Sequence, residues 1–596
     1  MTPVLRLGNC SGFYGDRLSA MRELLEGGEL DVLTGDYLAE LTMLILGKDT
    51  LKDPSLGYAR TFVTQLEDAL GLAVERGVRI VANAGGLNPA GLAARVREVA
   101  SGLGLGVAVA HVEGDDLRPR AAELGFEGAL TANAYLGAFG IAAALAGGAD
   151  VVVTGRVTDA SLVVGPAIAH FGWTPTAYDE LAGATVAGHI LECGTQATGG
   201  NFSGFLSLPR TSQPLGFPVA EIAADGSCVI TKHDGTGGAV TVDTVTAQLM
   251  YEIQSERYLG PDVTTRLDTI ELAQSGPDRV AVTGVRGEAP PERLKVGVNV
   301  LGGFRNSAEF VLTGLDLDAK AAWLQAQLTP ALTAASVTWT RTDTARPGAD
   351  TEEAASCLLR CTVRDPAPDP VGRAFTGAAV ELALASYPGF TLTAPPAPGT
   401  PYGIYRAEYV DRSVVEQVVV HADGTGETLA HSGLPGPSSA APGRAGRAVG
   451  GWDWPPRGEE RAEGVDPAAG PAGTGGAGGG PLTRVPLGTF VHARSGDKGG
   501  DANLGLWVAH DGSSAYADRV AWLLGFATAE RIRELLPEAA ALAVDVHPLP
   551  NLGGVNVVLH RLLGEGVAAS TRFDPQAKGL GEWARSRLVE IPEVLL

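Results

Sequence analysis

The fourteen residues HILECGTQATGGNF, at positions 189–202, bring an acid, a base and several hydrogen-bond donors into one short stretch. Glu192 has the chemistry of a general base that removes an α-proton in an enolate-forming reaction, and His189 can carry that proton onward. Cys193 follows directly, but a lone cysteine without a partner in a recognisable motif is usually inert. The stretch therefore predicts a reaction centre with Glu192 and His189 as catalytic residues, against the alternative of a polar tight turn.

The glycine-rich half of the same stretch is suited to binding an anion. Glycine tolerates positive φ, so a turn containing Gly194, Gly199 and Gly200 can point its N–H groups at a phosphate or at a developing oxyanion. We expect Thr195, Gly199, Gly200 and Asn201 to bind substrate.

Five further polar turns follow apolar runs in the first part of the chain. They are GNCSG at 8–12, TGDY at 34–37, NAGGLNP at 83–89, HVEGDD at 111–116 and TGRVTDAS at 154–161. The carboxyl ends of parallel strands lie at one edge of a sheet, where ligands bind and helix N-termini offer unpaired N–H groups. We therefore expect these turns to converge on one crevice.

Each of these turns also has a simpler interpretation. Asp36 is either the N-cap of the next helix or a general base. Asn83 and Asn88 flank a Gly-Gly pair that is either an ordinary turn or a nest for an oxyanion or phosphate. Arg156 and Asp159 form either a local ion pair or a site where the arginine binds a carboxylate or phosphate. We assign Asp36 to catalysis, and to substrate binding Asn9, Asn83, Asn88, Arg156 and Asp159.

Two polar turns lie further along the chain. TKHDGTGGAVT, at 231–241, contributes Lys232, His233 and Asp234, whose spacing lacks the specificity of a metal motif. We expect no metal there and assign the three residues to substrate binding, against the alternative of a hydrogen-bonded turn. HARSGDKGGDANLG, at 492–505, is either a surface turn or a substrate-binding loop, and we assign to binding Ser495, Asp497, Lys498 and Asn503.

The elements that position these residues alternate in the first part of the chain between short apolar strands and amphipathic helices, including a helix near 132–147. This pattern predicts an α/β fold with a doubly wound, mostly parallel sheet at 1–204. Shorter runs, in which apolar and polar residues alternate, predict an α+β domain at 205–431. Residues 432–484 are rich in Gly, Ala and Pro and predict a flexible linker. Residues 485–596 predict a small α/β sandwich.

Composition limits the classes of partner. The 45 basic and 68 acidic residues give a net charge of −23, which disfavours nucleic acid as a partner. The five cysteines show no paired spacing, and neither a signal peptide nor a membrane span is evident. We expect a cytoplasmic protein that does not bind membranes and forms a homo-oligomer.

Six motifs together carry a resemblance to a known family. They are GNCSGFYGDR, LTGDYLAELTM, NAGGLNP, TGRVTDAS, ECGTQATGGNF and HARSGDKGGDANLG. The chain resembles the acyclic terpene utilisation family, AtuA, over about 1–450, and that family's smaller ferredoxin-like domain over about 485–596. The resemblance implies bacterial catabolism of citronellol- and geraniol-type terpenes, alongside enzymes of branched acyl-CoA breakdown. It implies no firm cofactor and no catalytic residues, and it suggests CoA as part of the substrate.

We expect an enzyme that acts on a branched acyl-CoA by α-proton chemistry, as a hydratase or a carbon–carbon lyase. The alternative is a non-catalytic protein that binds an acyl-CoA or a partner enzyme of the same pathway. A linker of the predicted length spans roughly 40 Å. We therefore also expect the turn at 495–503 to reach the main crevice, within one chain or across an oligomer.

Overall fold

The computed structural model describes residues 4–209, 211–429 and 481–596. The α-helices are α1 (Ala20–Gly27), α2 (Glu40–Lys52), α3 (Arg60–Arg76), α4 (Pro89–Gly102), α5 (Ala121–Leu124), α6 (Phe139–Ala146), α7 (Ser161–Phe171), α8 (Tyr178–Leu191), α9 (Val242–Leu249), α10 (Leu317–Leu328), α11 (Arg373–Glu381), α12 (Tyr516–Phe526), α13 (Ala529–Leu535) and α14 (Leu580–Ser586). The strands are β1 (Leu5–Asn9), β2 (Val32–Gly35), β3 (Arg79–Ala82), β4 (Val109–Glu113), β5 (Ala129–Ala134), β6 (Val151–Thr154), β7 (Pro218–Ile222), β8 (Cys228–Lys232), β9 (Arg257–Leu259), β10 (Thr264–Arg266), β11 (Glu271–Gly276), β12 (Arg279–Thr283), β13 (Arg286–Glu288), β14 (Arg293–Thr313), β15 (Ser336–Arg341), β16 (Ser356–Asp365), β17 (Thr391–Leu392), β18 (Thr400–Asp411), β19 (Gln417–Val420), β20 (Gly426–Leu429), β21 (Leu482–Pro486), β22 (Val491–Lys498), β23 (Asp501–Val508), β24 (Val544–Leu549), β25 (Gly554–Leu559) and β26 (Leu588–Pro592).

The largest sheet has eleven strands in the order β11-β12-β8-β7-β1-β2-β3-β6-β4-β19-β20. Its central strands β1, β2, β3, β6 and β4 are parallel. Antiparallel strands extend it on both sides, β7, β8, β12 and β11 on one and β19 and β20 on the other. The fold is α/β, but the sheet is mixed rather than mostly parallel. Strands from residues 205–431, for which the sequence predicts a separate α+β domain, join both of its edges.

The central strands bury both of their faces. Val32 and Val81 pack with residues of α6, α7 and α8, whereas Leu33 and Ile80 pack with residues of α1, α3 and α4. Successive strand residues point to opposite faces of a sheet, so burial on both sides requires continuous apolar runs such as VVV at 151–153. These strands hold the polar turns at one edge.

A second sheet is built around the 21-residue strand β14, which pairs with β5, β16, β17 and β18. The helix expected near 132–147 is shorter than predicted, because residues 129–134 form β5 and α6 begins only at Phe139. The run ALTANA has good helix formers, but pairing with β14, which lies far along the chain, overrides that local preference.

The predicted domain boundaries stay predictions. Strands from both sides of residue 204 belong to the eleven-stranded sheet. The predicted linker at 432–484 lies outside the described residues as far as 480, and β21 begins at Leu482, inside its last part.

The C-terminal part has a four-stranded antiparallel sheet in the order β22-β23-β25-β24. Leu504 and Val557 of the sheet share one core with Leu523 of α12 and Ile532 of α13. Among the described residues, every helix is too short or too polar to cross a bilayer.

Candidate active site

The side chains that follow β2 and β3 are joined by a direct hydrogen bond. Asp36 is 5% exposed, and its Oδ1 accepts hydrogen bonds from Asn83 Nδ2 at 2.6 Å and from the backbone N–H of Leu38 at 3.2 Å. Asn83 Oδ1 accepts from the backbone N–H of Tyr37 at 2.7 Å. The N-cap of α2 is Ala39, so Asp36 does not cap that helix. Its carboxyl group instead belongs to the edge of the sheet.

Arg156 follows β6 and joins the same edge. It is 3% exposed, and it donates to the carbonyl of Leu38 at 2.9 Å and to Asp159 Oδ1 at 2.8 Å. Its guanidinium carbon lies 4.3 Å from the ring centroid of Tyr135. The ion pair of the simpler interpretation is therefore present, and it lies beside Asp36.

Burial and neighbouring charges shift the pKa values of the carboxyl groups in this crevice in opposite directions. Burial, reinforced by Asp159, raises the pKa of Asp36 well above its ordinary value. Burial also raises the pKa of Asp159 to about 6, although Arg156 opposes the change. At Glu40 the effect of burial is outweighed by Lys295 and Lys498, which hold its pKa at about 2. The crevice thus combines a firmly ionised carboxylate with carboxyls that release protons less readily, as proton-transfer sites require.

The end of α8 carries a buried histidine–carboxylate pair. His189 Nδ1 lies 3.0 Å from Glu192 Oε1, and the two residues are 2% and 8% exposed. Asn9 Nδ2 donates to the carbonyl oxygens of Leu191, at 2.7 Å, and Glu192, at 3.1 Å. Asn9 therefore fixes this turn rather than offering free groups to a ligand.

Each side chain of this pair also has one polar atom that makes no hydrogen bond to the described residues. His189 Nε2 and Glu192 Oε2 are buried and have no hydrogen-bond partner among the described residues. The charge of Glu192 raises the pKa values of Asp36 and Asp159, for which burial is the larger cause, so the pair lies close to both. Glu192, Asp36 and Asp159 therefore belong to one site.

The second sheet provides a wall of the crevice that the sequence interpretation missed. Lys295 Nζ of β14 lies 3.4 Å from Glu40 Oε1 and 4.6 Å from the ring centroid of Tyr135. Asn299 of β14 lies opposite Tyr405 of β18 in the strand register. The alternation of polar residues with valine in KVGVN, at 295–299, is the signal that could have shown a polar face inside the protein.

The C-terminal part lies against this group of residues within the same chain. Asn503 Oδ1 accepts from the backbone N–H of Glu252 at 2.9 Å. A β-carbon at Gly499 would lie 3.3 Å from the ring of Tyr405, and the charge of Lys498 acts on Glu40 and Asp159. The turn at 495–503 thus adjoins Tyr405 and Glu252, whereas its part in the site and its binding of substrate stay predictions.

Asp497 lies in the same turn and shares the electrostatics of the crevice. Burial, followed by the charges of Glu252 and Glu40, raises the pKa of Asp497 to about 8. The Lys578 ammonium of the C-terminal part opposes this change and bonds to the hydroxyl of Tyr251. Acid and base groups from both parts of the chain therefore meet here.

The glycine-rich turn after Glu192 serves this interface rather than an anion. The backbone N–H groups of Gly199 and Gly200 donate to the carbonyls of Gln196 and Thr195, at 3.2 and 3.0 Å. Arg494 of β22 donates to the carbonyl of Asn201 at 3.0 Å and bonds to the side chain of Gln196. The predicted nest for an oxyanion is wrong for these two glycines, because their donors are already satisfied inside the turn.

Two other expected binding residues have structural roles. Asn88 caps α4, since its Oδ1 accepts from the backbone N–H of Gly91 at 2.9 Å. Ser495 Oγ donates to the carbonyl of Ala577 at 2.7 Å and accepts from Gly581 N–H at 2.8 Å. The hydrogen bonds of both side chains are to groups outside the acid–base cluster.

The turn after β8 also has contacts of its own. Lys232 Nζ lies 3.1 Å from Asp278 Oδ2 and donates to the carbonyl of Thr236 at 3.0 Å. His233 packs against Gly27, and Asp234 is exposed. The structure therefore does not bring Lys232, His233 and Asp234 together with Asp36 and Glu192.

Cys193 lies beside Glu192, but burial, reinforced by that carboxylate, raises the pKa of its thiol well above the ordinary value. The protonated thiol is a poor nucleophile. The described part of the chain contains no group of three or more His, Cys, Asp or Glu side chains placed to hold a metal ion.

Two family models match the chain. The one described as acyclic terpene utilisation family protein AtuA matches residues 5–421, and the one described as AtuA ferredoxin-like domain matches residues 485–590. No curated protein and no solved structure matches it. The first match covers most of the chain and includes Asp36, Arg156 and Glu192, and the second includes Asp497 and Lys498.

Proposed function

We propose, from the premise that this chain belongs to the acyclic terpene utilisation family, that its crevice is the active site of an enzyme acting on a branched acyl-CoA. The two matches confirm the resemblance carried by the six sequence motifs. Membership of the family indicates a part in the utilisation of acyclic terpenes. The reaction and the thioester are our proposal.

The observation that carries the proposal is the set of buried acid and base groups around Arg156. Glu192 has one oxygen oriented by His189 and a second without a partner among the described residues. Asp36 and Asp159 have raised pKa values, chiefly because of burial. Pairs of titratable groups with different environments are typical of proton-transfer enzymes.

The roles follow from these environments. Glu192 removes the proton from the carbon next to the thioester, and His189 orients it. In the elimination of water, the electron pair of that C–H bond forms the new double bond, and the C–O bond breaks as Asp159 protonates the departing hydroxyl. Hydration is the reverse reaction. In carbon–carbon cleavage, a base takes the proton of the hydroxyl group, and the α-carbon takes a proton after the bond breaks.

Incubation of the purified chain with branched 3-hydroxyacyl-CoA and enoyl-CoA compounds in D2O tests this proposal. We expect deuterium at the α-carbon and a product that differs by one water or by the cleaved fragment, both measured by mass spectrometry. Binding without deuterium uptake or product would instead favour the non-catalytic acyl-CoA-binding alternative. Absence of both binding and turnover would contradict both functions.

A further inference from the structure

A small cavity lies next to the acid–base groups, between the second sheet and α2. One face of the second sheet forms its floor, because Asn133 of β5 and Tyr405 of β18 both flank the polar face of β14. Glu40 and Met43 of α2 lie on the other side, and Arg156 connects the cavity to the crevice. The cavity is about the size of one water molecule.

The absence of a side chain at Gly297 keeps this space open. A β-carbon there would lie 3.3 Å from the ring of Tyr405 and 3.4 Å from the ring of Tyr135. The two rings therefore approach each other across the bare backbone of β14. In the C-terminal part, Gly499 packs on the ring of Tyr405 and Gly566 packs against its Cβ.

Three polar atoms of the lining residues are buried and have no hydrogen-bond partner of good geometry among the described residues. They are Asn133 Oδ1, Arg156 Nε and Tyr405 Oη. Buried polar groups in proteins are nearly always paired, by ordered water or by a ligand, so these three atoms define a place for one small polar group.

The chemistry of each atom is fixed by its surroundings. Asn133 Nδ2 donates to Asp115 Oδ2 at 2.7 Å, which leaves Oδ1 of the amide as an acceptor. Arg156 Nε can only donate. Burial raises the pKa of Tyr405 well above its ordinary value, and the neighbouring Tyr135 raises it further, although Lys295 opposes this. Tyr405 therefore keeps its proton and can donate it.

Two donors and one acceptor match a hydroxyl group. The hydroxyl of a ligand accepts two hydrogen bonds and donates one, so it can take the place of a single water and satisfy all three atoms. A carbonyl or carboxylate oxygen only accepts, so it would leave Asn133 Oδ1 unpaired and facing another oxygen. An ammonium group only donates, and it would face the charges of Arg156 and Lys295.

We propose that this cavity holds the hydroxyl group of a 3-hydroxyacyl thioester, with Arg156 and Tyr405 donating to its oxygen and Asn133 accepting its proton. This inference rests on the proposed function and narrows it to substrates, or products of hydration, that carry a hydroxyl. Arg156 also bonds to Asp159, so the hydroxyl lies beside the group that would protonate it as it leaves. The site thus distinguishes hydroxylated acyl chains from their deoxy analogues.

A matched pair of ligands tests the cavity. In the full-length Glu192→Gln variant, which prevents turnover, we would measure the binding of 3-hydroxy-3-methylbutyryl-CoA and 3-methylbutyryl-CoA by calorimetry. We expect the hydroxylated compound to bind about tenfold more tightly, because the deoxy compound has no group that pairs with the buried polar atoms. Tyr405→Phe should weaken its binding about three- to tenfold without changing that of the deoxy compound.

Tyr402→Phe, on the same strand, is the control and should change neither affinity. Equal binding of both compounds, or equal weakening of both by Tyr405→Phe, would overturn the hydroxyl site and leave the proposed function standing. If neither compound binds, the proposed function fails as well. The ligand comparison in the Glu192→Gln variant needs no substitution at Tyr405, so it decides the question even if the Tyr405→Phe variant does not fold.

Discussion

At the scale of single residues, the proposed chemistry depends most on Glu192. We expect Glu192→Gln to lower turnover of a branched 3-hydroxyacyl-CoA by about 10²- to 10⁴-fold, the usual contribution of a general base. The amide can still accept a hydrogen bond from His189 Nδ1, so the midpoint of urea unfolding should stay close to that of the parent protein.

Glu180→Gln, in the first turn of the same helix, is the matched control for steady-state kinetics and should retain parent turnover. If Glu192→Gln turned over substrate as fast as the control, the assignment of the base would be wrong.

Asp497 makes the stability of the chain depend on pH. Its pKa is about 8 in the folded chain and has the ordinary value of about 4 in the unfolded chain. Between these values the unfolded state ionises first while the folded state retains its proton. The free energy of unfolding therefore falls as pH rises from about 4 to about 8, and it stays lower above that range.

We expect Asp497→Asn to remove the part of this decline that Asp497 causes. The variant should therefore have a higher free energy of unfolding than the parent at pH 8, and the difference should be smaller at pH 4. Urea unfolding at both pH values measures the difference. Asp518→Asn, on the exposed side of α12, should follow the parent curve. A variant at position 497 that is no more stable than the parent at pH 8 would argue against the raised pKa.

At the scale of elements, the local sequence pattern was enough to predict the parallel strands and the turns that follow them. The apolar runs at 30–35 and 149–156 correspond to β2 and β6, and the polar turns that follow them hold Asp36 and Arg156. The wall that contains Lys295 and Tyr405 could not be predicted in this way. It depends on the pairing of β5 with β14, whose register is set by tertiary contacts rather than by neighbouring residues.

The hairpin of β22 and β23 packs tightly on the end of α9. A β-carbon at Gly505 of β23 would lie 2.6 Å from Met250 Cβ and 2.7 Å from the carbonyl oxygen of the same residue. We expect Gly505→Ala to lower the free energy of unfolding by about 1–3 kcal/mol, because neither atom can move freely.

Gly525→Ala is the matched control in the C-terminal part. No atom lies within 4 Å of its added β-carbon, and the position is in a helix, so it should leave stability unchanged or raise it by up to about 1 kcal/mol. Thermal unfolding of the two variants should shift in opposite directions. Equal shifts would contradict the close contact at Gly505.

At the scale of the whole molecule, the C-terminal part lies next to the proposed site. Deletion of residues 485–596 would uncover Tyr251 and Tyr405 and remove Lys498 from Glu40 and Asp159. We expect the deletion to abolish thioester turnover and weaken thioester binding. The double substitution Asp497→Ala with Lys498→Ala should lower turnover while the chain still folds.

Both proteins would be compared with the full chain by calorimetry and by mass spectrometry of products. Unchanged binding and turnover in both would show that the C-terminal part is not needed for the chemistry.

The pairing of β5 with β14 has a consequence for how the protein is made. At about 5–20 residues per second, a ribosome needs roughly 10–30 s to extend the chain from Asn133 to Val300. During that interval β5 has emerged without the strand that it pairs with. Lys498 is added later still, so the proposed catalytic groups are synthesised long before the C-terminal part can shield them from solvent.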